Sequence, residues 1–147
     1  RQLVVDRPEF ERWRAAAEGA RQAAEQQSET ALHNWACFLA EQAAQLAMKG
    51  LLHGAGAGAW GHDLVVLGDA ARAALGEAAP AEVVVALRRL SRHYIPARYP
   101  DAHPSGPPGA HYGAEDSSQA LADLRVVLDY VDARWRALAG ETETHGS

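Results

Sequence analysis

Apolar residues recur along most of this chain in alternating steps of three and four, the spacing that gathers side chains on one face of an α-helix. Asp6-Arg7-Pro8-Glu9 has the make-up of a helix start, with Asp6 as N-cap, Pro8 in the first turn and Glu9 in the reciprocal capping position. The first predicted helix runs to about Gln26 and turns Phe10, Trp13, Ala17, Ala20 and Ala24 inward. Its stripe shrinks to alanine after one turn, so beyond Trp13 it must lie close against a neighbour. A second helix from about Glu29 to His53 carries the seam Leu32, Ala36, Leu39, Ala43, Leu46 and Gly50, with Trp35 and Phe38 beside it and Gly54 ending it. Small residues on that seam again allow close approach.

The glycine-alanine stretch that follows reads as loop, and His62 to Leu75 as a third helix with Leu64, Leu67, Ala71 and Leu75 on one face. Pro80 suits the first turn of a fourth, which carries Val83, Leu87, Leu90 and Tyr94 and stops at Pro96 and Pro100. Val83-Val84-Val85 alone would suit a strand, but Pro80, Glu82 and the run Ala86 to Leu90 favour helix. Ala102 to Gly113 is loop, being rich in proline and glycine. The last helix starts near Glu115-Asp116 and has the cleanest seam: Leu121, Leu124, Leu128, Val131, Trp135 and Leu138. Five helices, no strong strand and no internal repeat give an all-α bundle. It is expected to be one domain with its core between about 5 and 138 and a polar, frayed tail over 139–147.

Composition sharpens this picture. Alanine supplies 32 of the 147 residues, whereas Leu, Ile, Val and Phe together supply 28. The helices are therefore closely packed, and burial against a second copy would supplement a thin stock of bulky side chains. A net charge of −5 argues against a general nucleic-acid-coating protein, which would rely on many phosphate contacts. The basic residues are thirteen arginines and a single lysine, Lys49, which suits local bidentate contacts more than diffuse attraction. The lone Cys37 cannot form an internal disulfide. With no signal-peptide pattern and no long uncharged apolar run, a cytoplasmic protein is expected.

Several familiar chemistries lack their context. Gly56-Ala57-Gly58-Ala59-Trp60-Gly61 spells a dinucleotide-binding glycine pattern, but it follows a helix where that motif needs a β-strand. No two histidines stand in His-x-x-x-His spacing, so no metal site is expected. There is no nucleophile elbow and no phosphate loop ending in Gly-Lys-Ser/Thr.

What remains is Ser91 to Asp101, SRHYIPARYPD, where arginines, a histidine and two tyrosines surround prolines. Arginine grips phosphate and histidine moves protons near neutral pH. Two arginine–histidine pairs share the same spacing, Arg98 with His103 and Arg88 with His93. On a helix the second pair would stand about 140° apart, while the first straddles Pro100 in a turn where convergence is easier. Arginines that merely cap a helix end are the plain alternative. At the start of the third helix, Asp63 reads as an N-cap. Trp35, Phe38 and Trp135 read as core or dimer-seam residues.

Trp35-Ala36-Cys37-Phe38-Leu39-Ala40-Glu41-Gln42-Ala43-Ala44, then Lys49-Gly50-Leu51-Leu52, His62-Asp63-Leu64 and Tyr94-Ile95-Pro96-Ala97-Arg98-Tyr99-Pro100-Asp101 occur in an order that resembles the HEPN (higher eukaryotes and prokaryotes nucleotide-binding) domain family, over about Val5 to Leu138. The resemblance implies an up-and-down helical bundle, a homodimer, and a minimal nucleotidyltransferase as the partner in a toxin–antitoxin-like pair. It implies no cofactor. Many relatives in the wider superfamily are metal-independent ribonucleases whose arginine holds phosphate while a histidine four to six residues later transfers a proton. Carried over, Arg98 and His103 would be the catalytic pair, with Arg88 and His93 as alternatives. His62, Arg92, Tyr94, Arg98, Tyr99 and Asp101 would contact nucleotide or RNA, and Asp101 could instead pair with Arg98 to fix the loop. Arg98 is followed by Tyr99 and Arg88 by Arg89, where the wider pattern carries a polar residue such as asparagine, so binding is expected ahead of cleavage. The rival readings are a non-catalytic helical interaction module and a nucleotide sensor.

Overall fold

A computed structural model describes residues 5–146, with side chains as far as residue 140. Five α-helices follow in order: α1 (Arg7–Glu29), α2 (His33–Gly54), α3 (Leu64–Leu75), α4 (Ala81–Ser91) and α5 (Ala114–Gly146). Two short 3₁₀ turns, Pro100–Ala102 and Pro108–His111, interrupt the expected loop. The described residues contain no strand, and none of their helices is long and apolar enough to cross a membrane. α5 runs on through the polar tail to Gly146, but the tail's side chains and Ser147 lie outside the described residues.

α2 is the axis of the molecule. It packs against α1, α5, α3 and α4, and fourteen of its residues are buried. The two-position seam read from the sequence therefore understates it, because alanines make most of its circumference compatible with contact. Leu32, expected on that seam, instead precedes the helix as its N-cap residue and is exposed. The α1–α2 turn falls at Thr30–Leu32, later than expected, and carries no glycine or proline. It is closed by Ala31 at φ 61°, a left-handed conformation unusual for alanine.

Small residues set the helix spacing. A methyl placed on Gly50 would come within 2.8 Å of Trp13 Cβ, and one on Gly54 within 2.7 Å of the Trp135 ring. At that end Phe10 stacks on Trp135, ring centroids 4.3 Å apart, joining α1 to α5. The N-terminus of α1 is tied to the same place. Asp6 accepts a hydrogen bond from the Glu9 amide as its capping role requires, but its own amide donates to the Gly54 carbonyl at 2.7 Å. Glu9 consequently does not complete the reciprocal cap and pairs with Arg12.

α4 ends at Ser91, three residues short of Tyr94, and the chain continues in tight turns. Pro96 explains the early stop, because a proline ring collides with the carbonyl four residues before it, here that of Arg92, if the helix continues. Pro80 caps α4 from outside its first turn. The sequence that was to extend α4 thus becomes an irregular segment laid across α2, which creates the site described next. On the packing of α1 against α2, Gly50→Val is expected to lower unfolding free energy by about 1–3 kcal/mol through overpacking, measured by urea denaturation.

Candidate functional site

Four residues of α2 at steps of four, three and four share one face: Asn34, Phe38, Glu41 and Gln45. In a helix buried on nearly every side, polar groups there need partners within the protein. Asn34 donates from Nδ2 to the carbonyl of buried Ala97 at 3.0 Å, pinning the segment after α4 onto α2. Glu41 is fully buried and accepts hydrogen bonds from Gln42 Nε2 at 2.8 Å and Gln45 Nε2 at 2.5 Å. Burial pushes its carboxyl above the ordinary carboxylate range, against the opposing pull of the two amides, His62 and Arg98.

With Ala97 fixed, Arg98 folds back on its own turn. Its Nε and Nη2 both donate to the Tyr94 carbonyl, at 2.9 and 2.7 Å. The guanidinium lies 4.4 Å from the ring centroid of Phe38, 4.6 Å from that of Tyr94 and 4.9 Å from that of Tyr99. Three aromatic faces around one cation form a cage that fixes its plane. His62 stacks on Tyr94 at 4.0 Å, nearly parallel, while Asp63 caps α3 by accepting from the Val65 and Val66 amides. The capping role expected for Asp63 holds. Trp35 meets Phe38 edge-on at 6.2 Å and remains 44% exposed, so within one protomer it is not a core residue, unlike Trp135. Tyr99, 47% exposed, and Ile95 extend an open aromatic and apolar surface beside Arg98.

The expected ligand contacts His62, Tyr94, Arg98 and Tyr99 therefore converge. The others do not join them. His103 makes its contacts elsewhere: its Nε2 donates to the Pro96 carbonyl at 2.7 Å, and its ring stacks on His111 at 4.3 Å. That bond places the proton on Nε2 and leaves Nδ1 as the basic nitrogen. His93 turns inward, its Nδ1 3.0 Å from the Tyr112 hydroxyl, while Arg88 is exposed on the far side of α4 beside Val84 and Leu87. Arg88 and His93 do not meet, in line with their angular separation. Arg92 and Asp101 are exposed, and Arg98 bonds the Tyr94 carbonyl in place of pairing with Asp101.

Among the described residues no group of three His, Cys, Asp or Glu side chains is disposed to hold a metal ion. Cys37 is buried and its thiol pushed up to about 12 by desolvation, which leaves it unreactive near neutral pH. A groove of about 310 Å³ between α1 and α5 contains arginines, but Arg14 is paired with Asp132, and Arg21 with Glu18 and Glu25. Part-buried Arg98 has no carboxylate ion-paired with its guanidinium among the described residues, and neither has Arg125 in that groove.

Sequence reading missed Asn34, Glu41, Gln45 and His111. The usable signal for the first three was polar residues at helical spacing, seven and then four apart, inside an alanine-rich helix; nothing marked His111.

The HEPN domain family model matches residues 10–134. This chain belongs to the HEPN domain family. It is similar to TT1696 from Thermus thermophilus, with 34% identity, a TM-score of 0.76, and coverage of 84% of this chain and 96% of that one. It is also similar to ST0689, an archaeal HEPN homologue, at 28% identity, TM-score 0.73 and coverage of 86% and 97%. An HEPN domain protein of Thermotoga maritima shares the fold at 22% identity and TM-score 0.63, over 83% and 95% of the two chains. No curated protein matches. The comparisons thus agree with the all-α helical reading and the HEPN resemblance.

The half-buried His93 provides a pH test of the segment's packing. Desolvation holds its imidazole below the ordinary value of 6.5, although Asp116 and Asp123 pull the other way. The unfolded chain therefore takes up a proton near 6.5 that the folded chain does not, so stability falls as pH drops from 6.5 toward the folded value. His93→Gln should show a smaller acid loss in its urea midpoint than the wild-type protein over that interval, whatever its stability at neutral pH.

Proposed function

We propose that this HEPN protein binds nucleotide or RNA on the patch formed by Arg98, Tyr94, Tyr99 and His62, as a homodimer acting with a minimal nucleotidyltransferase in a toxin–antitoxin-like pair. The observation that carries the reading is the caging of Arg98. Two of its nitrogens bond a backbone carbonyl and three rings hold its plane, so its remaining N–H groups are presented to a ligand at little further entropic cost. Neighbouring exposed rings of Trp35 and Tyr99 offer faces on which a base can stack. The thin core and the exposed Leu32 and Ile95 support self-association beside this face.

Metal-independent RNA cleavage is the stronger form of the proposal. There Arg98 would hold the phosphate and His103 Nδ1 would accept or return a proton at a ribose oxygen. The lack of contact between Arg98 and His103 within a protomer favours the sensor reading, in which ligand binds without cleavage, unless a second protomer completes the site. Incubation with RNA in EDTA distinguishes these. An active ribonuclease loses cleavage by at least about 100-fold in both Arg98→Ala and His103→Ala. Equal residual cleavage by all three proteins would remove these residues from the mechanism, and retained RNA binding without cleavage would establish the sensor.

A further inference from the structure

Glu41 is the polar group whose placement the bundle least requires. It lies in the middle of α2 with no solvent exposure, where alanine or leucine would satisfy the packing. Its hydrogen-bond donors, Gln42 and Gln45, are neutral and belong to its own helix. The charged groups that bear on it come from other elements: His62 from the segment entering α3, and Arg98 from the segment after α4. These are two members of the proposed phosphate patch. Phe38, one turn before Glu41 on the same face, is the ring beneath the Arg98 guanidinium. The carboxylate thus underlies the patch without forming an ion pair with it among the described residues.

We propose that Glu41 governs how tightly the patch holds a phosphate: ionised, it offsets the charge of Arg98, and protonated, it leaves the patch more cationic. This rests on the reading of Arg98 and His62 as a phosphate site. Reciprocity follows, since a bound anion must favour the proton on Glu41 to the same extent that the proton favours the anion. Burial already biases Glu41 toward its neutral form. Glu41 acts through Arg98 and touches no ligand itself, so it is a positioning residue whose signature is a pH profile.

The test measures binding of a single-stranded RNA of about ten nucleotides, whose phosphodiesters keep their charge across the range used. Glu41→Gln preserves shape and removes the charge; Glu41→Asp retains it. At about pH 8 the Gln variant should bind about three- to tenfold tighter than the wild-type protein, with the Asp variant resembling wild type. Acidification toward about pH 5 should tighten wild type more than the Gln variant, and that difference should persist when His62→Gln removes imidazole titration from both. Equal affinities and parallel pH profiles would overturn the role of Glu41. If Glu41→Gln fails to fold, as judged by circular dichroism, a flat pH profile for the His62→Gln protein overturns it instead. Binding that is indifferent to Arg98→Ala would defeat the phosphate-site reading itself, and this inference with it; binding that needs Arg98 but ignores Glu41 would defeat the inference alone.

Discussion

The burial of α2 on nearly all sides is the constraint from which the rest of the structure follows. A helix enclosed by four others can carry polar side chains only where partners are supplied by the helix itself, as for Glu41, or by a neighbouring segment, as for Asn34. Here the partner segment is the turn after α4, and the contact that joins them is the hydrogen bond from Asn34 to the Ala97 carbonyl. Remove that contact and the cage around Arg98 loses its hydrogen-bonded anchor on α2, leaving the Phe38 ring contact. The candidate functional surface is thus a consequence of how the core is closed.

Closure itself depends on small residues. Alanines along α2, with Gly50 and Gly54 against Trp13, Phe10 and Trp135, bring helix backbones close enough that few bulky side chains are needed. Such a core has little room for adjustment, so its geometry is carried faithfully to the patch. Ion pairs complete the seams: Arg14 with Asp132 joins α1 to α5, and Arg89 with buried Asp123 joins α4 to α5. The second is the more consequential, because removing Arg89 would leave a buried carboxylate with Gln119 as its other hydrogen-bond donor.

Periodicity was enough to read the five helices, because the apolar steps of three and four in α3 and α5 correspond to faces that are in fact buried. It failed where local signals mislead. Ala31 closes the α1–α2 turn without the glycine that usually marks one, and Pro96 acts backwards on α4, breaking it before Tyr94. The candidate site was half legible. His62, Tyr94, Arg98 and Tyr99 could be nominated from residue type and resemblance, and they lie together. The seating of His103 on Pro96 and His111, and the burial of Glu41, depend on contacts between elements distant in sequence, which spacing does not encode.

What distinguishes this patch is that a strong cation is held in place by aromatic rings and a backbone carbonyl, so its charge is available to a ligand without reorganisation. Nuclear magnetic resonance titration tests that directly. On addition of a short single-stranded RNA, the Nε–H resonance of Arg98 and the ring resonances of His62 and Tyr94 should shift together and saturate at a common ligand concentration. Resonances of that cluster left unmoved, while those of Arg72, Arg88 or Arg125 shift, would contradict the account.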